Sequence, residues 1–258
     1  MKSFNTKIIA LSNQKGGVGK TTSAVNIASF LAITETPVLL IDMDPQANAS
    51  TALGMQKNKI SQSIYEVIIN NITIKSCIQK TEIEYLDIVP SSSKLAGAEI
   101  ELVSMFTRES VLKESIKEVM GKYKYIIIDC PPSLGLLTVN VLTASHSIII
   151  PIQCEYYALE GLSQLLNTIR LIQNNLNAKL EIEGILITMY DSRLNLSQQV
   201  LQEVKEYFGE KVYKTLINRN VRLGEAPSYG KPIVLYDAAS TGSQNYMNLV
   251  SEILHQNG

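Results

Sequence analysis

The stretch that decides how this chain folds is "NQKGGVGKTT", Asn13 to Thr22. A phosphate-binding loop reads G-x-x-x-x-G-K-[ST] and sits between a strand and a helix. Gly19, Lys20 and Thr21 supply the end of that pattern, but Gln14 stands where its first glycine belongs. A second lysine, Lys15, follows, five residues ahead of Lys20. Upstream, "KIIALS" (7–12) is a short apolar run of strand type. Downstream, Thr21 to Ile33 places Ala24, Ile27, Ala28 and Leu31 on one helical face. Strand, glycine loop and helix thus follow in the order a nucleotide site requires. Gly16, Gly17 and Gly19 let backbone N–H groups turn inward around phosphate oxygens, and the helix adds its positive end. Lys20 is expected to reach the β- and γ-phosphates and the Thr21 hydroxyl to bind Mg²⁺, with Val18 and Thr22 completing the loop.

Working outward, further strand-like runs recur at 37–42, 85–90, 123–130, 146–152 and 182–190. Several are apolar at successive residues, as in strands covered on both faces. Helical patterns alternate with them: after Glu155, Leu159, Leu162, Leu166 and Ile169 share a face, and Thr241 to Leu254 closes the chain as an amphipathic helix. Such alternation predicts one α/β domain over 1–258, a mostly parallel sheet flanked by helices, P-loop NTPase-like. Residues 56–83 mix polar positions with an apolar run at Ile64–Ile69 and predict nothing definite. Two strands end in carboxylates, "LLIDMDPQ" with Asp42 and Asp44 and "YIIIDCPP" with Asp129. Ligands of open α/β sheets lie beyond the carboxyl ends of the strands, so these acids face the same crevice as the loop. One such aspartate alone could simply cap a turn.

Composition narrows the class. With 45% hydrophobic and 18% charged residues the chain is globular, and no apolar run reaches the roughly 18 residues of a membrane span. "MKSFNTKIIALS" runs straight into the glycine loop, so it is not expected to be a cleaved signal, and a cytoplasmic location is expected. Cys77, Cys130 and Cys154 form neither a disulfide framework nor a C-x-x-C pattern, and His146 and His255 cannot build a zinc site alone. The net charge of −1 excludes a globally basic coat but not a local basic patch.

Taken together, "KGGVGKTT", "LLIDMDPQAN", "IIIDCPPS" and "RNVRLGEAPSYGKPI" resemble the ParA family of chromosome and plasmid partition ATPases, its short Soj-like members in particular. The resemblance runs from Lys7 to about Ile253. It implies a homodimer in the ATP state, in which Lys15 reaches across the two-fold interface to the partner's nucleotide, a charge supplied in trans as by an arginine finger. It further implies that Asp44 positions the attacking water, that Asp42 and Asp129 serve the magnesium with Thr21, and that Asn218 and Asn220 touch the adenine. Asn218 stands where the family usually has proline. Non-specific DNA binding through Arg193 and Arg222 is implied as well, as are release by a ParB-type centromere-binding partner and a place on the nucleoid.

Related readings are weighed by the same residues. A MinD-like ATPase would position its cargo on a membrane through a basic amphipathic tail, yet "GSQNYMNLVSEILHQNG" holds no Lys or Arg. An iron–sulfur ATPase needs a second cysteine beside Cys130, and a nucleotide-dead scaffold would not keep Lys15, Lys20, Thr21, Asp44 and Asp129. Between Tyr190 and Lys231, seven Lys/Arg face five acids, a slight excess that a solvated surface would also show. With the loop beginning at residue 13, no N-terminal helix-turn-helix is expected, nor sequence-specific operator binding.

Overall fold

The computed structural model describes residues 3–155 and 158–257, except for the side chains of 158–161 and 257. Seven strands form one sheet: β1 (Lys7–Leu11), β2 (Val38–Asp42), β3 (Gln79–Lys80), β4 (Leu86–Val89), β5 (Tyr125–Asp129), β6 (Ser147–Gln153) and β7 (Glu181–Thr188). Their order is β3-β4-β2-β5-β1-β6-β7, parallel throughout except for the antiparallel edge strand β3. The six strand-like runs of the sequence all form strands. β3 is the addition, too short to leave a periodic signal.

Consecutive apolar residues are explained by two cores. Ile8, Ala10, Leu39, Ile41, Ile126 and Ile128 enter one layer. Their neighbours Ile9, Leu11, Val38, Leu40, Tyr125 and Ile127 enter the other. Side chains alternate across a strand, so a strand buried on both faces must be apolar at every position. The second layer is closed by helix α1 (Lys20–Ile33) and the helix Thr241–Asn257. Ala24, Ile27, Ala28 and Leu31 of the one share its core with Tyr246, Leu249, Val250 and Ile253 of the other. On the opposite face the helix Ala158–Asn175 buries Leu162, Leu165 and Ile169; the side chain of Leu159 lies outside the described residues.

The segment 56–83 becomes the helices Ile64–Ile68 and Ile74–Cys77 followed by β3. The first starts on a capping box: the Ser63 N–H donates to the Glu66 carboxylate at 2.8 Å, and the Ser63 hydroxyl oxygen accepts from the Tyr65 N–H. Parallel pairing also sets the site. β2 and β5 run in a register that places Asp42 opposite Asp129, and β1 lies on the other side of β5 with Leu11 opposite Asp129.

Candidate nucleotide site

The loop between β1 and α1 is held by groups far along the chain. The Asn13 amide donates to the Pro151 carbonyl (2.8 Å) on β6, and the Lys15 N–H donates to the Asn13 side-chain oxygen (3.0 Å). Thr188, the last residue of β7, places its hydroxyl 2.9 Å from the Val18 carbonyl. Gly17 and Gly19 adopt φ of 75° and 82°, left-handed values that a side chain would strain, and Gly19 is the N-cap of α1. Lys20 is buried, and its ammonium donates to the Lys15 carbonyl at 2.9 Å. Burial lowers its pKa, with Asp129, Cys130 and Asp44 acting in the opposite sense. The Lys15 ammonium forms an ion pair with Glu155.

The three strand-end carboxylates converge as expected but differ in their bonding. Asp42 is fully buried. It accepts from the Ser50 N–H (2.8 Å) and hydroxyl (2.7 Å) through one oxygen and from the Asp44 N–H (3.1 Å) through the other. Burial raises its pKa to about 6 against the pull of the Ser50 bonds. Asp44 is also buried and accepts from the Gln46 N–H at 2.9 Å. Asp129 is fully buried with no hydrogen bond to either carboxylate oxygen among the described residues. Burial, and then the neighbouring Asp42, push its pKa well up; the Thr21 hydroxyl opposes the shift without reaching hydrogen-bonding geometry. Among the described residues no three His, Cys, Asp or Glu side chains form a metal cage.

A cavity of about 200 Å³ opens beside the loop between Gly19, Thr22, Thr188, Asn218, Asn220 and Leu223. Asn218 and Asn220 therefore line one slot, each with another attachment. Asn218 donates through its N–H (3.1 Å) and its amide (3.3 Å) to the Asn245 side-chain oxygen. Asn220 caps the helix Val221–Glu225, accepting from Arg222 N–H at 2.9 Å.

Residues 6–182 match a family model described as an AAA domain. The sporulation initiation inhibitor protein Soj of Bacillus subtilis (strain 168) is 57% identical over 247 residues, covering 96% of this chain and 98% of that protein. The chromosome partitioning protein ParA of Myxococcus xanthus (strain DK1622) is 52% identical over 248 residues, covering 96% and 88%. The chain belongs to the Soj/ParA family of chromosome-partitioning ATPases. A solved structure from Mycobacterium smegmatis, named cobyrinic acid a,c-diamide synthase and holding ADP and magnesium, superposes with a TM-score of 0.86. It is 35% identical, over 97% of this chain and 95% of that one.

In this Soj/ParA chain the two arginines singled out from sequence lie on neighbouring segments. Tyr190, just past β7, pairs with Asn218, and the Arg219 N–H donates to the Tyr190 carbonyl at 3.0 Å. Both arginines carry intramolecular ion pairs. Arg193 grips Asp191 with two bonds (2.9 and 2.7 Å), which holds that carboxyl down at about 2. Arg222 meets Glu225 at 2.9 Å and Asp237 at 3.5 Å. Sequence reading did not pick out Asn13, Ser50, Glu155, Thr188 or Asn245, all of which support the site. Only Asn13, inside the quoted loop, and Ser50, in the run after Asp44, sit close to a motif that could have flagged them.

Proposed function

We propose that this chain is a Mg²⁺-dependent ATPase that dimerises around two ATP molecules and then binds double-stranded DNA without sequence preference. A ParB-type partner stimulates hydrolysis and releases it, so that the cycle moves a chromosome or plasmid. The observation that carries this reading is Asp129, a fully buried carboxylate with two unpartnered oxygens beside the head of α1. Such a group fits a hydrated cation, which would relieve the burial that pushes its pKa up. Magnesium commonly takes only one or two protein groups directly and completes its shell with phosphate oxygens and water, which matches Thr21 with Asp42 and Asp129 serving the ion, without a cage. Once bound, the ion neutralises charge on the phosphates.

The chain's residues divide the remaining work. Lys15, Gly16, Gly17, Val18, Gly19, Lys20, Thr21 and Thr22 wrap the phosphates, and the slot at Asn218 and Asn220 takes the adenine. Asp42 holds the segment carrying Asp44 through Ser50, and Asp44 orients the attacking water. Lys15 crosses to the partner's nucleotide. Arg193 and Arg222 meet DNA phosphates, which places the ATP dimer on the nucleoid. The family names support partition over the amide synthesis named for the Mycobacterium smegmatis structure, at 57% identity against 35%.

DNA pelleting with ATP, ADP and no nucleotide tests the reading, with the Asp44→Ala variant alongside. ATP should drive sequence-indifferent binding that ADP does not. Asp44→Ala should dimerise and stay on DNA while its turnover falls by a factor of about 100 or more. Binding that ignores the nucleotide, or wild-type turnover by Asp44→Ala, would overturn it.

A further inference from the structure

Glu155 takes the ammonium of Lys15 within the same chain, a contact that the proposed nucleotide cycle does not use. Its placement follows from β6. That strand ends at Gln153, and the Glu155 N–H turns back to donate to the Gln153 carbonyl at 2.9 Å. The same strand end already grips the loop through Pro151 and Asn13. Lys15 is also held at its backbone, where its N–H donates to Asn13 and its carbonyl accepts from the buried Lys20 ammonium. Both ends of the residue therefore point into its own subunit.

We propose that Glu155 is a positioning residue for Lys15: it keeps the ammonium in cis until ATP and a second subunit draw it away, and so sets how much ATP dimerisation requires. This rests on the reading that Lys15 acts in trans. An ammonium bonded to Glu155 must leave that carboxylate to neutralise a phosphate in the partner. Triphosphate carries more charge than one carboxylate, so the exchange favours the dimer once both nucleotides are bound. The size of the barrier follows from exposure. The two side chains are 39% and 47% exposed, and pairs of this kind shift an equilibrium by about 1.4- to 5-fold. A two-fold dimer breaks two of them, which makes roughly 2- to 30-fold in the dimer constant.

Two measurements on the full chain test this. Carbodiimide, which joins an amine to a carboxylate only in direct contact, should cross-link Lys15 to Glu155 in the nucleotide-free protein, read by peptide mass spectrometry. Adding ATP and magnesium to Asp44→Ala protein should suppress that cross-link. In the same hydrolysis-blocked background, sedimentation should show Glu155→Gln dimerising about 2- to 30-fold more tightly with ATP, with Glu155→Asp nearer to the parent and monomer ATP affinity unchanged. A missing cross-link, a cross-link that survives in ATP dimers, or a Glu155→Gln dimer constant unchanged or weaker would each overturn the proposal. If the Glu155-intact protein forms no ATP dimer at all, the trans-lysine reading itself fails and the gate fails with it.

Discussion

At the scale of single residues, two facing carboxylates are held against the penalty of burying their charge. Asp42 and Asp129 sit opposite each other at the ends of β2 and β5, fully buried, and both have raised pKa values. For an acid whose folded pKa exceeds its unfolded one, the folded state holds the extra proton between the two values. Stability from that group is present at low pH and is lost as pH rises through the folded pKa. For Asp42 the window runs from about 4 to about 6. Replacing Asp42 with Asn removes the titration. Between pH 5 and pH 7.5 the nucleotide-free variant should therefore gain roughly 1 kcal/mol relative to wild type, as measured by urea unfolding at the two pH values. A difference that does not change with pH would show that Asp42 stays ionised throughout. A bound cation would pull both carboxyls toward their charged forms, so magnesium and nucleotide should flatten the wild-type profile.

At the scale of elements, the sheet is supported by contacts between β7 and the segment that follows the helix Asn195–Phe208. Tyr213 packs its ring on Gly184 of β7, and its N–H donates to the Ile185 carbonyl at 3.0 Å. A Cβ at Gly184 would lie 2.4 Å from a carbon of that ring, and the ring is buried on all sides. Gly184→Ala should cost about 1–3 kcal/mol through overpacking, read as a lower denaturation midpoint with an unchanged m-value. The strand also carries Thr188, which bonds the carbonyl of Val18 in the loop. The same variant should therefore weaken ATP binding more than an equally destabilising change in the Ile64–Ile68 helix, since that helix touches none of the loop contacts named above.

At the scale of the whole molecule, the DNA reading depends on symmetry more than on charge. The chain has a net charge of −1, and Arg193 and Arg222 are each already paired with a carboxylate. A dimer presents each arginine twice. Each phosphate contact contributes roughly −0.9 to the slope of log affinity against log salt. Arg222→Ala or Arg193→Ala should thus flatten the slope by about two, without changing ATP-driven dimerisation. Charge reversal at Arg222 should weaken binding further. Salt titrations of DNA binding by the purified variants check both statements. If the slope and affinity persist while the protein still dimerises, the DNA contacts lie elsewhere, among Lys205, Lys211, Lys214, Arg219 and Lys231.

The amino-acid sequence alone determined the parts of this protein that are built from contiguous residues. The phosphate loop is one run, because a strand, a glycine turn and a helix N-terminus must be covalently adjacent to surround a phosphate. The buried strands announce themselves because both faces are covered, and Asp42, Asp44 and Asp129 are legible as strand ends. The segment 56–83 was illegible as a whole: its elements are four or five residues or shorter, and only the Ser63–Glu66 capping box carries a local signal. Tertiary structure decided what brings distant residues into contact. Lys15 meets Glu155 across 140 residues of chain and Val18 meets Thr188 across 170. The pairing of Asp42 with Asp129 depends on the register of two strands whose order in the sheet is not their order in the chain. No local propensity encodes such pairs, because the parallel sheet sets them only when its strands assemble side by side.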